Sequence, residues 1–508
     1  MPDTAPPNAP PASSPALADS DTFDPAAKLS RYAAVVDDWD AFAAAVRAPR
    51  PTCLVVHRQR LDSARLAELC AAMETPEGRA VTPVSWCAGA LRAAPGARPG
   101  LWWPHQAGLY QIQEEASLLP VHLLAPQAGE HILDLCAAPG GKTAQICMAV
   151  GDSGTVLAND RDSRRLTAIR DKMKRLGLTN LSTCVQNGAE WPAEAGGFDR
   201  VLVDAPCSAE GTNVRDGAAY LNSSSGFRAR LARQQRALLG RALAAVRPGG
   251  RVVYATCSFA PEENEAVVSD VLATTGVRAR ITPVAIPGLD SAPGLAAWAD
   301  RAFHPDLCHA HRLWPHRTGT GGFFAVVLTR DPADTPAVSP ARFTAPDGEA
   351  DMGDWLPVLR YHFDLPADSF ADLRFLARGE EIQAVAAMHR LPPRPRIVSS
   401  GLPLAKRAGR WPKPTTAAAL SLGAAARRNT VALDAAQRAA YLARQTVFPA
   451  PEQLAACDSK GYVIVTHAGF PLGAAMLRPG PPPRLDSEYP RIWVNPSTTR
   501  DAAADNLR

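Results

Sequence analysis

Two cysteines in this 508-residue chain stand where a side chain can do chemistry: Cys207 in "VLVDAPCSAEGT" and Cys257 in "RVVYATCSFAPEENEAVV". Each follows an apolar run that reads as a buried strand, and each sits in a polar turn. A cysteine that ionises in such a place is a nucleophile; one that does not is a small core residue. Taken singly, either reads as packing. Taken together, at the ends of adjacent parallel strands, they read as a reactive pair, because such strand ends open on one crevice. Asp204, three positions before Cys207, faces the same crevice.

The loop "DLCAAPGGKTA" is the second candidate. Gly140 and Gly141, between a strand and a helix, let backbone N–H groups approach a ligand closely. A Walker loop needs a glycine where Cys136 stands, and no G-x-G-x-x-G fingerprint is present. A nucleotide-like cofactor or a tight structural turn remain. Asp160, ending "GTVLAND", either accepts hydrogen bonds from ribose hydroxyls or caps the next helix. Lys142 either partners a thiolate or caps a carboxylate. Glu262 and Glu263 in "PEENE" read as acids that favour a helix N-terminus.

The elements that hold these loops alternate between apolar strands and helices from about residue 130 to 275. That alternation predicts an α/β fold with a doubly wound, mostly parallel sheet. "FRARLARQQRALLGRALAAV" repeats Leu231, Leu238, Leu239 and Leu243 at helical spacing. "GGFFAVVLTR" reads as a further strand at the sheet edge. Residues 25–98 read as a separate small α+β domain, 99–332 as the core, 333–352 as a Pro/Asp/Ala-rich linker, and 353–508 as a second appended region. Residues 1–24, rich in Pro, Ala and Ser, read as a disordered tail with no secretory or transit character.

The composition is 46% hydrophobic and 20% charged with net charge +4, which fits a soluble globular protein and a polyanionic partner without demanding one. No apolar run reaches bilayer-spanning length, so no membrane is expected. Ten cysteines without a C-x-x-C pair or a His/Cys cluster argue against a metal site and against a disulfide framework, and for a cytoplasmic protein. From Leu391 to Leu433 there is no acid, while Arg394, Arg396, Lys406, Arg407, Arg410, Lys413, Arg427 and Arg428 all occur. Trp411 among them either stacks on a base or plugs a small domain.

"CAAPGGKT", "DAPCSAEGT" and "YATCSFAPEENEAVV" together resemble the Sun family of RNA cytosine-5 methyltransferases, which use S-adenosylmethionine. "LYQIQEEASLLPVHLL" and "WPHRTGTGGFFAVVL" extend the resemblance over roughly residues 100–330. "KGYVIVTHAGFPLGAAML" is similar to the terminal, PUA-like RNA-binding module of bacterial members that modify small-subunit ribosomal RNA. The resemblance implies a Rossmann-like core. It implies that Cys257 attacks carbon 6 of cytosine and that Cys207 resolves the adduct, since carbon 5 is too weak a nucleophile unaided. It further implies that Cys136, Ala137, Ala138, Pro139, Gly140, Gly141 and Lys142 line the cofactor, that Asp160 holds its ribose, and that Asp204 lies between cofactor and base. Relatives carry an Asp after the third strand, where this chain has Gly188; Asn187 or Glu190 are the substitutes at hand. The target is an unpaired or flipped base in RNA, ribosomal RNA above all, bound by a monomer. A transfer-RNA methyltransferase and a non-catalytic ribosome-assembly factor are the alternatives.

Overall fold

The computed structural model describes residues 24–494 apart from 74–79, 213–223, 337, 340, 354, 409–410 and 459; the side chains of residues 407–412 also lie outside the description. The tail expected over 1–24 lies outside the described residues except for Asp24. That residue accepts a hydrogen bond from Ala26 N at 3.0 Å and so caps a short helix. A longer helix, α1 (Trp39–Arg47), follows.

The first sheet is antiparallel: β1 (Thr52–Val56), β2 (Val81–Pro83), β3 (Ala90–Ala93) and β4 (Tyr110–Glu114) in the order β2-β3-β1-β4. Thr52 pairs with Glu114 and Val56 with Tyr110. A boundary at 98/99 therefore cuts through a continuous sheet. The period-two alternation of β1 explains why the sheet does not stand apart. Cys53 and Val55 join the core that holds Ala144 and Ile146, whereas Leu54 and Val56 join a core with Val463, Val465 and Leu485 near the C-terminus.

The central sheet carries β5 (His131–Asp134), β6 (Thr155–Asp160), β7 (Leu181–Val185), β8 (Phe198–Asp204) and β9 (Val246–Thr256), all parallel, in the order β7-β6-β5-β8-β9. Alternate residues feed two cores. Ile132, Val156, Leu202 and Val253 pack with α2 (Gly141–Val150) and α3 (Arg165–Leu176); Leu133, Leu157, Val203 and Val252 pack with α4 (Ser225–Ala245) and α5 (Glu265–Thr274). All six residues of β6 are buried, as a strand covered on both faces must be. In α4, Ser224 caps the start by accepting from Phe227 N, and Leu231, Leu238, Leu239 and Leu243 are buried on its inner face.

Beyond β9 the chain adds β10 (Ala279–Ile281), β11 (Ala292–Pro293), β12 (His311–Leu313) and β13 (Phe323–Arg330), which is "FFAVVLTR". The expected edge position is corrected: β13 runs antiparallel between β9 and β12, so both flanks are covered. Its uninterrupted apolar run belongs to an interior strand.

The C-terminal region builds β14 (Leu373–Arg378), β15 (Glu381–Ala386), β16 (Ile397–Ser400), β17 (Leu402–Ala408) and β18 (Trp411–Pro414). Four of these form the sheet β14-β15-β17-β18, but β16 leaves it and pairs antiparallel with β7, extending the central sheet. The last sheet is β19 (Thr430–Ala432), β20 (Gly461–His467), β21 (Phe470–Arg478) and β22 (Arg484–Ser487). The described residues between 333 and 352 do not hang free. Phe343 packs edge-on against Phe198 at 5.0 Å and His131 at 5.2 Å, and Ala350 and Met352 are buried.

Candidate active site

The loop after β5 is shaped by its glycines. Gly140 has φ +89°, and a Cβ there would stand 2.9 Å from Ile169 Cγ1, so only glycine lets the loop close against α3. The loop then runs into the N-terminus of α2, where unpaired N–H groups and the macrodipole favour negative charge. Asp160 clamps the loop from β6: its carboxylate accepts from Ala138 N at 3.3 Å and from Asp162 N at 2.9 Å, and Arg165 Nη1 lies 3.2 Å away.

Two cavities of about 240 Å³ each meet at this loop. One is bounded by Asp160, Arg165, Asn187, Gly188, Leu238, Cys207 and Cys257, among others. The other is bounded by Gln113, Ser117, Asp134, Pro139, Gly141, Lys142 and Lys172. Cys136 and Asp204 lie in both walls, so the cavities adjoin at the strand ends.

The two cysteines, fifty positions apart, are brought together here: Cys207 Sγ and Cys257 Sγ are 3.4 Å apart and both half-buried. The loops that carry them are locked through the backbone, with Gly211 N donating to Cys257 O at 2.8 Å and Gly322 N to Gly211 O at 2.9 Å. Behind Cys257, Phe259 stacks on Trp314 at 5.3 Å, and Phe42 of α1 meets both rings edge-on. The hydrogen bond with Cys257, together with burial, holds the Cys207 thiol well above its ordinary range.

Lys142 Nζ reaches Asp204 Oδ2 at 2.6 Å. Burial works against the ammonium, but the Asp204 carboxylate, with Cys257 adding to it, holds the lysine above its ordinary range. Of the sequence alternatives for Lys142, the pairing with a carboxylate is the one this geometry displays.

The reading of Glu262 and Glu263 as helix-start acids is corrected. Helix α5 begins only at Glu265, and the preceding turn points Glu263 inward, where it is wholly buried. Its oxygens accept from Ser208 N at 3.0 Å, Gln235 Nε2 at 2.9 Å and Ser258 Oγ at 3.0 Å. Glu262 instead binds Arg31 and faces Trp298 Nε1.

Asp134 escaped the sequence reading. It ends β5, lines the second cavity and is 1% exposed, and burial pushes its carboxyl up to about 7. Thr143 Oγ1 donates to Oδ2 at 2.7 Å, while Oδ1 is buried without a hydrogen-bond partner. An acid inside the apolar run "HILDLC" was the available signal. Gln235 was missed for the opposite reason, as one polar residue among many on α4.

At Gly188, a Cβ would fall 2.8 Å from Leu238 Cδ2 and 3.0 Å from Leu135 Cγ, so a side chain here would have to shift those leucines. Asn187 lines the cavity beside it, and its Nδ2 donates to Glu190 Oε1 at 2.9 Å. Of the basic stretch, Arg394, Lys406 and Lys413 are engaged with Glu194, Glu381 and Glu488, and Arg428 stacks on the exposed ring of Tyr361 at 4.3 Å. Three of its cations are thus held by acids from outside the stretch. Arg410 lies outside the described residues, and the side chains of Arg407 and Trp411 are not described. Among the described residues no cluster of His, Cys, Asp or Glu could hold a metal ion, and no helix is long and apolar enough to cross a membrane.

Comparison with known proteins fits this geometry. Residues 121–329 match the family model described as 16S rRNA methyltransferase RsmB/F, and residues 428–495 match that of the methyltransferase RsmF PUA domain. A Homo sapiens 28S rRNA (cytosine(4447)-C(5))-methyltransferase is 41% identical over 43% of this chain; the matched part is 27% of that relative's length. The ribosomal RNA small subunit methyltransferase F of Klebsiella pneumoniae is 33% identical over 64% of this chain and 67% of its own. Among solved structures, a methyltransferase homologue from Pyrococcus horikoshii aligns with a TM-score of 0.50 and 25% identity, over 60% of this chain and 99% of its own. Core, appended module and the length shared with the bacterial relative lead to one conclusion: the chain belongs to the 16S rRNA methyltransferase RsmB/F family.

Proposed function

We propose that the protein methylates carbon 5 of a cytosine in RNA, with small-subunit ribosomal RNA as the substrate and S-adenosylmethionine as the methyl donor. The observation that carries this reading is the sulfur pair, 3.4 Å apart, on the wall of a cavity whose neighbour holds the Lys142–Asp204 pair. The rRNA substrate is supported by the overlap with the Klebsiella relative and by the C-terminal module.

The residues fit the donor. The glycine loop and α2 N-terminus suit its carboxylate, the unpartnered Asp134 Oδ1 suits its ammonium, and Asp160 and Asn187 border the adenosine side. When bound, the donor supplies an electrophilic methyl group on a sulfonium sulfur. Cys257 Sγ adds to carbon 6 of the cytosine, which loads electron density onto carbon 5 and lets it take the methyl group. Asp204 borders both cavities and accepts from the exocyclic amine of the base. Lys142 pairs with Asp204 at 2.6 Å and offsets charge at Cys257. A base, water or a side chain at the site, then takes the carbon-5 proton, and the electrons of that bond expel Cys257 as the thiolate, which restores the aromatic ring. Cys207 stands 3.4 Å from the departing sulfur and serves this release.

The test is incubation with S-adenosylmethionine labelled in the methyl group and total RNA from a deletion strain, followed by mapping of 5-methylcytosine. Label in small-subunit ribosomal RNA is expected. Label in transfer RNA alone would reassign the substrate, and no label would favour a non-catalytic assembly factor.

A further inference from the structure

We propose that Glu263 is a positioning residue whose buried carboxylate, bonded around Cys207, keeps that cysteine as the thiol of the pair, while the Lys142 ammonium favours negative charge on Cys257. This rests on the methyltransferase reading for its purpose, but not for its test. The two sulfurs are chemically alike and 3.4 Å apart, so something must decide which one attacks.

The surroundings of the pair are asymmetric in charge. Glu263 brackets Cys207: it accepts from the N–H of Ser208, the next residue, and from Gln235 Nε2, which also donates to Pro206 O at 2.9 Å, the residue before. Glu263 and Gln235 are both wholly buried, so this charge is poorly screened. Ser258, next to Cys257, donates its hydroxyl to the same carboxylate and lies 2.9 Å from Ser208 Oγ. One acid therefore ties both cysteine loops together and places a negative charge on the Cys207 side, where it adds to the upward pull on that thiol. Lys142, held by Asp204 at 2.6 Å, feels the charge of the Cys257 sulfur.

The other groups around the pair do not reverse this. Asp204 from the β8 loop is paired with Lys142, and Glu210 from the same loop accepts from Tyr32 and faces Arg228. Cys136 from the β5 loop and Tyr254 from β9 are both held in their neutral forms by burial. Asp160, Arg161 and Arg165 line the same cavity, and Arg165 is paired with Asp160.

Limited labelling of the full chain with iodoacetamide, read peptide by peptide by mass spectrometry from pH 6 to 10, tests the idea without RNA or donor. In the wild type, Cys257 labels ahead of Cys207 throughout, and Cys207 rises only at the alkaline end. Glu263→Gln keeps an oxygen for Ser208 and Gln235 and turns its amide to the Ser258 hydroxyl, so it removes charge while preserving the bonds. It raises labelling of Cys207 relative to Cys257 roughly tenfold at pH 8, the effect of about one unit of acidity. Glu263→Asp retains the charge and most of the wild-type preference. Equal labelling of both cysteines in the wild type at pH 8 overturns the proposal, whatever the variants do. So does a folded Glu263→Gln protein with an unchanged ratio, or a Glu263→Asp protein that behaves like it, since either leaves only a structural brace. Absence of RNA methylation by the wild type would reject the function and leave the labelling result standing.

Discussion

Two clusters of nucleophilic side chains at hydrogen-bonding distance in the central sheet make a contrast, and one of the two is placed to react. At the edge, Ser182 of β7 lies 2.7 Å from His389 Nε2 and 2.7 Å from Ser400 Oγ of β16. A serine against a histidine resembles the start of a catalytic array. Yet all three residues are sealed, at 2% exposure or less, and none lines either cavity of the site. Burial, with Arg390 and His131 nearby, depresses His389 to about 3, so it is a neutral imidazole inside a seam. The cysteine pair has what this cluster lacks: open space beside it and fixed charges of opposite sign around it. Proximity of nucleophile and base is common in a packed interior; access and polarity separate a site from a joint.

The sharpest way to break this contrast is to delete one sulfur or one hydroxyl. Cys257→Ala is expected to bring methyl transfer to background, whereas Ser182→Ala leaves kcat unchanged and lowers stability by about 1–3 kcal/mol through lost hydrogen bonds. Turnover of labelled RNA and chemical denaturation measure the two. A Ser182→Ala protein that is stable but inactive would overturn the division between site and seam. Cys207→Ala sharpens the division inside the pair. The methyl group is transferred once and the RNA stays attached, giving a protein–RNA band that survives denaturing electrophoresis. If Cys257→Ala gives that band instead, the roles of the two sulfurs are exchanged.

Much of this was legible in the chain. Alternating apolar strands and helices announce the doubly wound core, and strand-end logic puts Cys207, Cys257, Asp204 and the glycine loop in one crevice. What failed was long-range. Nothing local in "RIVSS" says that β16 leaves its own neighbours to pair with β7, because strand partners are chosen by tertiary packing. The same blindness made residues 25–98 look independent, since β4 completes that sheet from beyond the boundary. Glu263 was misread because an acid near a helix start has a ready explanation, and only the fold reveals three donors waiting for it. Gly188 looked like a loss; the side chains of Leu135 and Leu238 fill the space beside it.

A smaller effect separates the second cavity from the first. Asp134 ionises near pH 7 because it is fully buried. Its raised value means that stability is greatest while it stays protonated and declines as pH rises from its unfolded value through about 7. A bound ammonium group reverses the preference, so donor affinity should weaken as pH falls below 7, by about tenfold per unit at most. Asp134→Asn should flatten that slope in calorimetric titrations between pH 6 and 8. A slope that survives in the variant would move the ammonium elsewhere.

The seam supplies the smallest effect, and its sign is opposite. His389 has a folded value near 3 and an unfolded value near 6.5, so the unfolded chain takes up the proton first. Its contribution to stability is present above about pH 6.5 and is lost as pH falls toward 3, at about 1.4 kcal/mol per pH unit at most. His57, buried against Leu176 O and also near 3, loses stability over the same range, so acid sensitivity of the wild type alone proves nothing. The informative quantity is the gap between wild type and His389→Gln. At pH 7.5 the variant should be less stable, because Ser182 and Ser400 lose their imidazole. By pH 5 the gap should narrow, because the wild type alone must then keep a histidine at this position from charging. Denaturation curves at the two pH values measure it. A gap that stays constant would mean that protons enter the seam without unfolding it, and the edge of the sheet would then be a more open place than the cysteine pair.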